Sequence, residues 1–442
     1  MFDTYLRRGG IAALTFLFPA FIAGAPLDLL IRNGTVIDGS GALPIGADVG
    51  VRNGSIEFID DGSKPEATPG RFVKRMAEAS LPLQLQQKID AAACAMVESK
   101  ATPGVAVGVV RNGQLVLNRS YGLANLEQDV PMSDRTVFRL ASLTKQFTAA
   151  SVLLLVEQKK LSLDDRLSKF YPDFPRGGEI TIRQLLNHTS GIRDYPESLL
   201  GELSPKEWGT ADLAKRLATI GFDFDPGTHW NYSNSGYVLL GQIIEKVSGQ
   251  TFAQFTKARL FDPLGMADTS VDSEYDVVPW RAAGYSRSKE APSGFVNAPF
   301  IPMSLVYAAG ATRSTVRDLA KWNIALYGGK VLEPESFKLM TTQGRLNDGR
   351  PANVAIFMEP GEKPRPAIPG FGDPMGYTMG LHTGTLDGHA FMGHEGGIFG
   401  FSTIMENYRD DGFMLIILAN TEGAAGRLEM ETARILFPAA AH

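Results

Sequence analysis

The chain has 442 residues, 44% of them hydrophobic and 21% charged, an ordinary globular composition with length for one large domain or about two to three smaller ones. Its 43 basic and 48 acidic residues give a net charge of −5 with no basic block, which argues against nucleic acid as a partner. A single cysteine, Cys94, excludes an intrachain disulfide and a cysteine-rich zinc site.

Residues 1–25 read as a signal peptide or a membrane anchor. Arg7 and Arg8 precede an apolar run from Ile11 to Ile22, and Ala23-Gly24-Ala25 fits the small-x-small cleavage pattern. The run is shorter than the roughly 20 residues of a comfortable span. Export to the periplasm or medium is expected, with anchoring to the inner membrane through the N-terminus as the alternative. Residues 26–62 form a short β appendage. Its segments Asp28-Leu29-Leu30-Ile31-Arg32 and Asp48-Val49-Gly50-Val51-Arg52 each run into an Asn-Gly, the strongest short hairpin signal. This piece resembles the N-terminal β-segment of the amidohydrolase superfamily. That family's metal-binding His-x-His does not follow, since no histidine occurs before His188. The segment therefore reads as structural, with a metal-dependent amidohydrolase as a minor alternative. Residues 63–81 have the Pro- and Gly-containing composition of a linker.

From residue 82 to 442 the pattern is that of one domain. A helix is expected from about Leu83 to Ser99, with Cys94 on its buried face because unpaired cysteine is among the most buried residue types. Gly104–Val110 and Gln114–Asn118 flank Arg111-Asn112-Gly113 as a hairpin. From Ser142 to about Gly265 the patterns are mainly helical. Beyond Gly376 β patterns return, at Phe401–Met405 and Gly412–Leu418, before a last helix from about Ala425 to Leu436. These strands predict an α/β fold of the α+β type. Both ends of the domain would build one central antiparallel sheet, flanked by helices and joined by an all-helical region.

Ser142-Leu143-Thr144-Lys145 places a serine and a lysine on one face of a helix start. Backbone N–H groups and the positive dipole end gather there, where an oxyanion is best stabilised. A desolvated lysine one turn on can take the serine proton. Ser-x-x-Lys alone is common on helix surfaces, so the rest of the chain decides. Tyr232-Ser233-Asn234 opens a second helix. Ser233 or Asn234 could simply cap it. Functionally, a tyrosine near a lysine ammonium can have a lowered pKa and move protons, and Asn234 can orient the lysine or hold a substrate carbonyl. His394-Glu395-Gly396-Gly397 leads into a strand whose backbone could pair with a substrate. It is not the zinc motif His-Glu-x-x-His, because Ile398 stands at the last position.

The order Ser142-x-x-Lys145, Tyr232-Ser233-Asn234, His394-x-Gly396 resembles the serine β-lactamase and penicillin-binding-protein superfamily. The Tyr-x-Asn form points to its class C β-lactamase, D-Ala-D-Ala peptidase and family VIII esterase branch. Leu185–Ile192, Phe261–Met266 and Ala309–Ala320 are similar too. The resemblance implies that Ser142 is acylated, that Lys145 and Tyr232 share the proton traffic, and that Asn234 and His394 bind substrate. The N–H groups of Ser142 and Gly397 would stabilise the oxyanion. It implies no metal or cofactor and a structural role for His188. The expected activity is hydrolysis of a small-molecule ester, β-lactam or D-amino-acid peptide. The alternative is a penicillin-binding or sensor protein that acylates without efficient turnover. His394 stands where β-lactamases proper carry lysine. Histidine is mostly neutral above about pH 6.5, which argues against strong selection for a β-lactam carboxylate. If it did bind a substrate carboxylate as a cation, affinity would fall as pH rises through about 6–7.

Overall fold

A computed structural model of the chain describes residues 29–36, 45–52, 55–60, 81–195, 210–353, 372 and 375–437. Two units divide between Glu78 and Ala79. The signal or anchor segment and the linker expected before Leu81 lie outside the described residues. Among the described residues no helix is long and apolar enough to cross a membrane.

The first unit contains three antiparallel strands, β1 (Leu29–Val36), β2 (Ile45–Arg52) and β3 (Ser55–Asp60). Arg52 pairs with Ser55; the Asn53-Gly54 turn expected between them lies outside the described residues. Asn33-Gly34, the other expected turn, forms none. It lies inside β1, where the register to β2 shifts between Ile31 and Gly34. An extra residue accommodated as a bulge replaces the expected turn there.

The second unit begins with α1 (Leu83–Glu98), which buries Ile89, Ala92, Ala93 and Met96. Cys94 is exposed, contrary to expectation. The buried stripe follows the helical spacing of these four residues, and Cys94 falls on the opposite side. Strands β4 (Gly104–Arg111) and β5 (Gln114–Asn125) form a hairpin. Its turn residues Asn112 and Gly113 have φ of 48° and 74°, the left-handed pair whose twist matches that of the strands. A short β6 (Val130–Pro131) follows. The helical region holds α2 (Thr144–Glu157), α3 (Asn234–Ser248) and α4 (Met303–Gly310). The chain then returns through β7 (Gly376–Tyr377), β8 (His382–Leu386), β9 (His389–Ile398), β10 (Phe401–Tyr408) and β11 (Phe413–Ala419), and ends in α5 (Ala424–Leu436).

The sheet order is β7-β8-β9-β10-β11-β4-β5-β6, antiparallel throughout. The last strand of the chain pairs with the first of the domain, Ile416 opposite Gly108. This is the closed sheet expected from the sequence. Alternation divides its core in two. Val105, Val107, Val109, Leu415 and Ile417 pack on α1 and α5. Ala106, Val110, Met414, Ile416 and Leu418 pack on the helical region. Helix α2 lies deep in that second layer, with Thr144 through Leu155 all buried. A helix apolar around most of its circumference is stable only in such a position, and this carries Lys145 into the interior.

Candidate active site

Ser142 occupies a short 3-10 turn, Ala141–Leu143, that leads directly into α2. Ala141 before it has φ of 49°, a left-handed conformation that costs an alanine on the order of 1–3 kcal/mol and persists only where the surroundings enforce it. Those surroundings are visible. Leu140 N–H donates to Thr312 O at 2.8 Å, and Thr403 Oγ1 donates to Leu140 O at 2.8 Å. Strand β9 is pressed against the turn. A Cβ on Gly396 would fall 2.2 Å from Leu140 O and 3.1 Å from Ser142 N, so glycine is needed for the approach.

Lys145 is fully buried. Its Nζ donates to Ser142 Oγ at 3.0 Å, Asn234 Oδ1 at 2.8 Å and Ala309 O at 2.9 Å. The Ala309 carbonyl comes from the end of α4, just beyond a break at Tyr307 (φ 37°, ψ −127°); carbonyls at a helix end lack intrahelical partners. Burial pushes the lysine down to about 7, against the attraction of Asp194.

Asp194 binds the start of α3. It accepts from Asn234 N–H at 2.7 Å, Asn234 Nδ2 at 2.9 Å and Ser235 N–H at 3.2 Å. A carboxylate at a helix N-terminus satisfies orphan donors and the dipole together. Asn234 is thus clamped, its amide nitrogen on Asp194 and its oxygen on Lys145. Ser233 also caps the helix, accepting from Gly236 N–H at 3.3 Å, so the capping reading and the site reading hold at once. Burial raises the Asp194 carboxyl despite these bonds.

Tyr232 presents its ring face to Lys145, whose Nζ lies 4.7 Å from the ring centroid. The Ser142 side chain acts to lower the phenol's pKa. The lowered tyrosine pKa expected from the sequence is not found. Burial pushes the phenol well above its ordinary value, because the ammonium that was to lower it is itself discharged near neutrality. His188 supports the tyrosine from behind, ring centroids 4.5 Å apart. It accepts from Ser233 N–H through Nδ1 at 3.2 Å, which fixes the neutral tautomer, and burial holds its pKa well below the ordinary value.

His394 sits on β9 opposite Met405 and is buried. Its Nε2 shares a hydrogen bond with Tyr377 Oη at 2.9 Å, and its Nδ1 bonds to the Glu395 carbonyl. Burial, with His382 and Lys145 adding repulsion, holds it neutral. The neutral form disfavours a cationic role for His394 towards a substrate carboxylate.

A cavity of about 360 Å³ opens over Ser142. Asn234, Tyr195, Gly397, Phe399 and Glu422 line it; Lys145, Tyr232 and His394 are not part of its lining. Gly397 has open space where a side chain would be. A larger cavity beside Phe170 and Ala214, about 520 Å³, does not contain Ser142 or Lys145. Among the described residues no group of three or more His, Cys, Asp or Glu is placed to hold a metal ion. Sequence reasoning missed Asp194, the Ala309 carbonyl and Glu422. Asp194 stands in no motif, and residues 196–209 that follow it closely lie outside the described residues. A carboxylate two residues after a Gly-Ile was the only signal.

Residues 89–439 match the family model described as Beta-lactamase. Penicillin-binding protein 4* of Bacillus subtilis is 31% identical over 70% of this chain and 66% of its own length. The D-aminopeptidase of Gluconobacter oxydans is 28% identical over 60% of this chain and 50% of its own. The chain thus spans between half and about two thirds of these curated relatives. Among solved structures, the D-amino acid amidase of Ochrobactrum anthropi SV3 complexed with L-phenylalanine amide superposes with a TM-score of 0.69. It is 26% identical, over 80% of this chain and 98% of that one.

Proposed function

The chain belongs to the β-lactamase family, and we propose that it is a serine hydrolase acting on a small amide or ester through an acyl-enzyme at Ser142. One observation carries the reading: a buried lysine amine held 3.0 Å from the serine hydroxyl by two fixed acceptors.

Lys145 in its neutral form has two N–H donors and one lone pair. Asn234 Oδ1 and Ala309 O can only accept, so both N–H groups go to them. The lone pair is left facing Ser142 Oγ. As Ser142 Oγ attacks the carbonyl carbon, its proton passes to Lys145 Nζ, and the carbonyl π electrons move to the oxygen. The N–H groups of Ser142 and Gly397 receive that oxyanion, a contribution of about 3–4 kcal/mol per donor. Tyr232, kept protonated by burial, donates to the leaving nitrogen or oxygen as the tetrahedral intermediate collapses. Its proton is restored from Lys145. Water then repeats the sequence on the acyl-enzyme. Asp194 acts through Asn234 as a positioning residue.

The amidase and aminopeptidase likenesses favour an amide substrate of amino-acid type over a β-lactam, and the neutral His394 agrees with them. The test is a panel of p-nitrophenyl butyrate, a chromogenic cephalosporin and D-alanyl p-nitroanilide, with Ser142→Ala beside the wild type. Wild-type turnover of at least one substrate, lost in Ser142→Ala, is the expected result. Unchanged turnover in the variant would sink the mechanism. A stable acyl adduct without turnover would instead mark a penicillin-binding sensor.

A further inference from the structure

The cavity over Ser142 carries charge of one sign. Asp194 and Glu422 line it, and among the described residues no lysine, arginine or histidine does. Lys145, bonded to Ser142 but outside the lining, has its Nζ committed to three partners. His394 is likewise committed to Tyr377 and a backbone carbonyl. A substrate carboxylate would find no partner here, and burying one unpaired is costly.

The two carboxylates are not equivalent. Asp194 spends both oxygens on the start of α3. Glu422 uses one. Its Oε1 accepts from Gly400 N–H at 2.7 Å and from Ser286 Oγ at 2.9 Å. These bonds fix the side chain just past the end of β11, against the turn between β9 and β10. Oε2 is engaged by neither. Gly397, Ile398 and Phe399 line the same cavity, so Glu422 stands at the end of the strand edge that begins beside Ser142. Ile301, Val306, Ile398 and Phe399 make the remaining wall apolar. A carboxylate in such surroundings attracts a cation more strongly than one in water.

On the reading that Ser142 is acylated, we propose that this cavity selects substrates bearing an ammonium group and that Glu422 is the specificity-determining residue that receives it. A free amine on the substrate, protonated at neutral pH, pairs with Oε2. Acylating that amine removes the charge and deprives Glu422 Oε2 of that pairing.

The test uses two serine-directed probes that need no turnover, 3-(aminomethyl)phenylboronic acid and its N-acetyl counterpart, titrated by calorimetry into the full chain. The wild type should bind the free amine about tenfold or more tightly than the acetylated probe, as expected for a charge-assisted pair. In Glu422→Gln that ratio should collapse toward one, and in Glu422→Asp, which keeps the charge, it should largely persist. A wild-type ratio of one or below overturns the proposal, and so does a ratio unchanged in Glu422→Gln. Misfolding of the variant would weaken both probes together and leave Glu422→Asp to decide. Ser142→Ala separates the two readings. If both probes still bind it unchanged, the acyl-enzyme reading fails, whatever their ratio shows about Glu422.

Discussion

Two clusters of buried titratable side chains lie on opposite faces of the same sheet. On the helical face are Lys145, Tyr232, Asp194 and His394. On the face covered by α5 are Glu406, Tyr408, Glu429 and His382, with Glu406, Tyr408 and Glu429 at most 3% exposed. They meet where the rings of His382 and His394 stack, 5.7 Å apart at 22°. Burial shifts both clusters in the same sense, towards their neutral forms. It lowers Lys145 to about 7 and raises Glu406 to about 7 and Glu429 to about 9. What separates them is not the size of the shift. The first cluster has a hydroxyl nucleophile within reach of its base and a cavity above it. The second lines neither of the two cavities described above, and its members satisfy one another: Tyr408 lies within hydrogen-bond reach of both carboxyls, and His382 Nε2 lies 3.2 Å from Glu406. A perturbed pKa marks a buried polar group; geometry decides whether it does chemistry.

The widest gap between the clusters should appear in activity. Lys145→Met removes the base while keeping volume, and kcat/KM should fall on the order of 10³-fold or more. Glu429→Gln, equally buried, should leave kcat/KM within about twofold. Equal losses in the two variants would erase the distinction drawn above. Tyr232→Phe should cost less than Lys145→Met, about 10²-fold in kcat, because the phenol is a proton donor and not the base. Its pH profile should keep the acidic limb of the wild type, since that limb belongs to Lys145. In the wild type, kcat/KM should rise with pH through about 7 as the ammonium loses its proton. Asp194→Asn removes the attraction that holds the proton on, so the limb should move to lower pH. A limb that stays in place would show that Asp194 does not act on the lysine.

The two clusters were also unequally legible in the sequence. Ser142, Lys145, Tyr232, Asn234 and His394 stand in short motifs, and the closure of the sheet followed from alternating strands at both ends of the domain. These signals are local, and periodicity carries them. Asp194 and Glu422 were not legible, because each matters through a partner far along the chain: Asp194 through the first turn of α3, Glu422 through Gly400 and Ser286. The Ala309 carbonyl had no side-chain signal at all, since it depends on a backbone break at Tyr307. The acid cluster was silent for the same reason. Glu406 and Glu429 sit on a strand and a helix that read as ordinary amphipathic segments. That histidine is mostly neutral follows from residue type, whereas the burial of His394 and its bond to Tyr377 depend on the fold.

The smallest expected effect concerns the acid cluster alone. A phenol has one proton, yet Tyr408 is within bonding range of both carboxyls. One contact can be a donation from the phenol, and a carboxyl proton donated to the phenol oxygen would satisfy the other. Burial raises both carboxyls, Glu429 to about 9, so a neutral Glu429 at neutral pH fits this arrangement. In the unfolded chain a glutamate loses its proton near 4.3. Between that pH and about 9 the folded state holds a proton that the unfolded state has released. Stability is then complete at low pH and is lost as pH rises through the folded value. Glu429→Gln keeps a neutral donor at any pH. Unfolding free energies from urea titrations at pH 6 and pH 9 should fall more in the wild type than in the variant, by a difference of about 1–3 kcal/mol. Parallel falls would mean that the proton resides elsewhere, and that the resemblance between the two clusters ends at their burial.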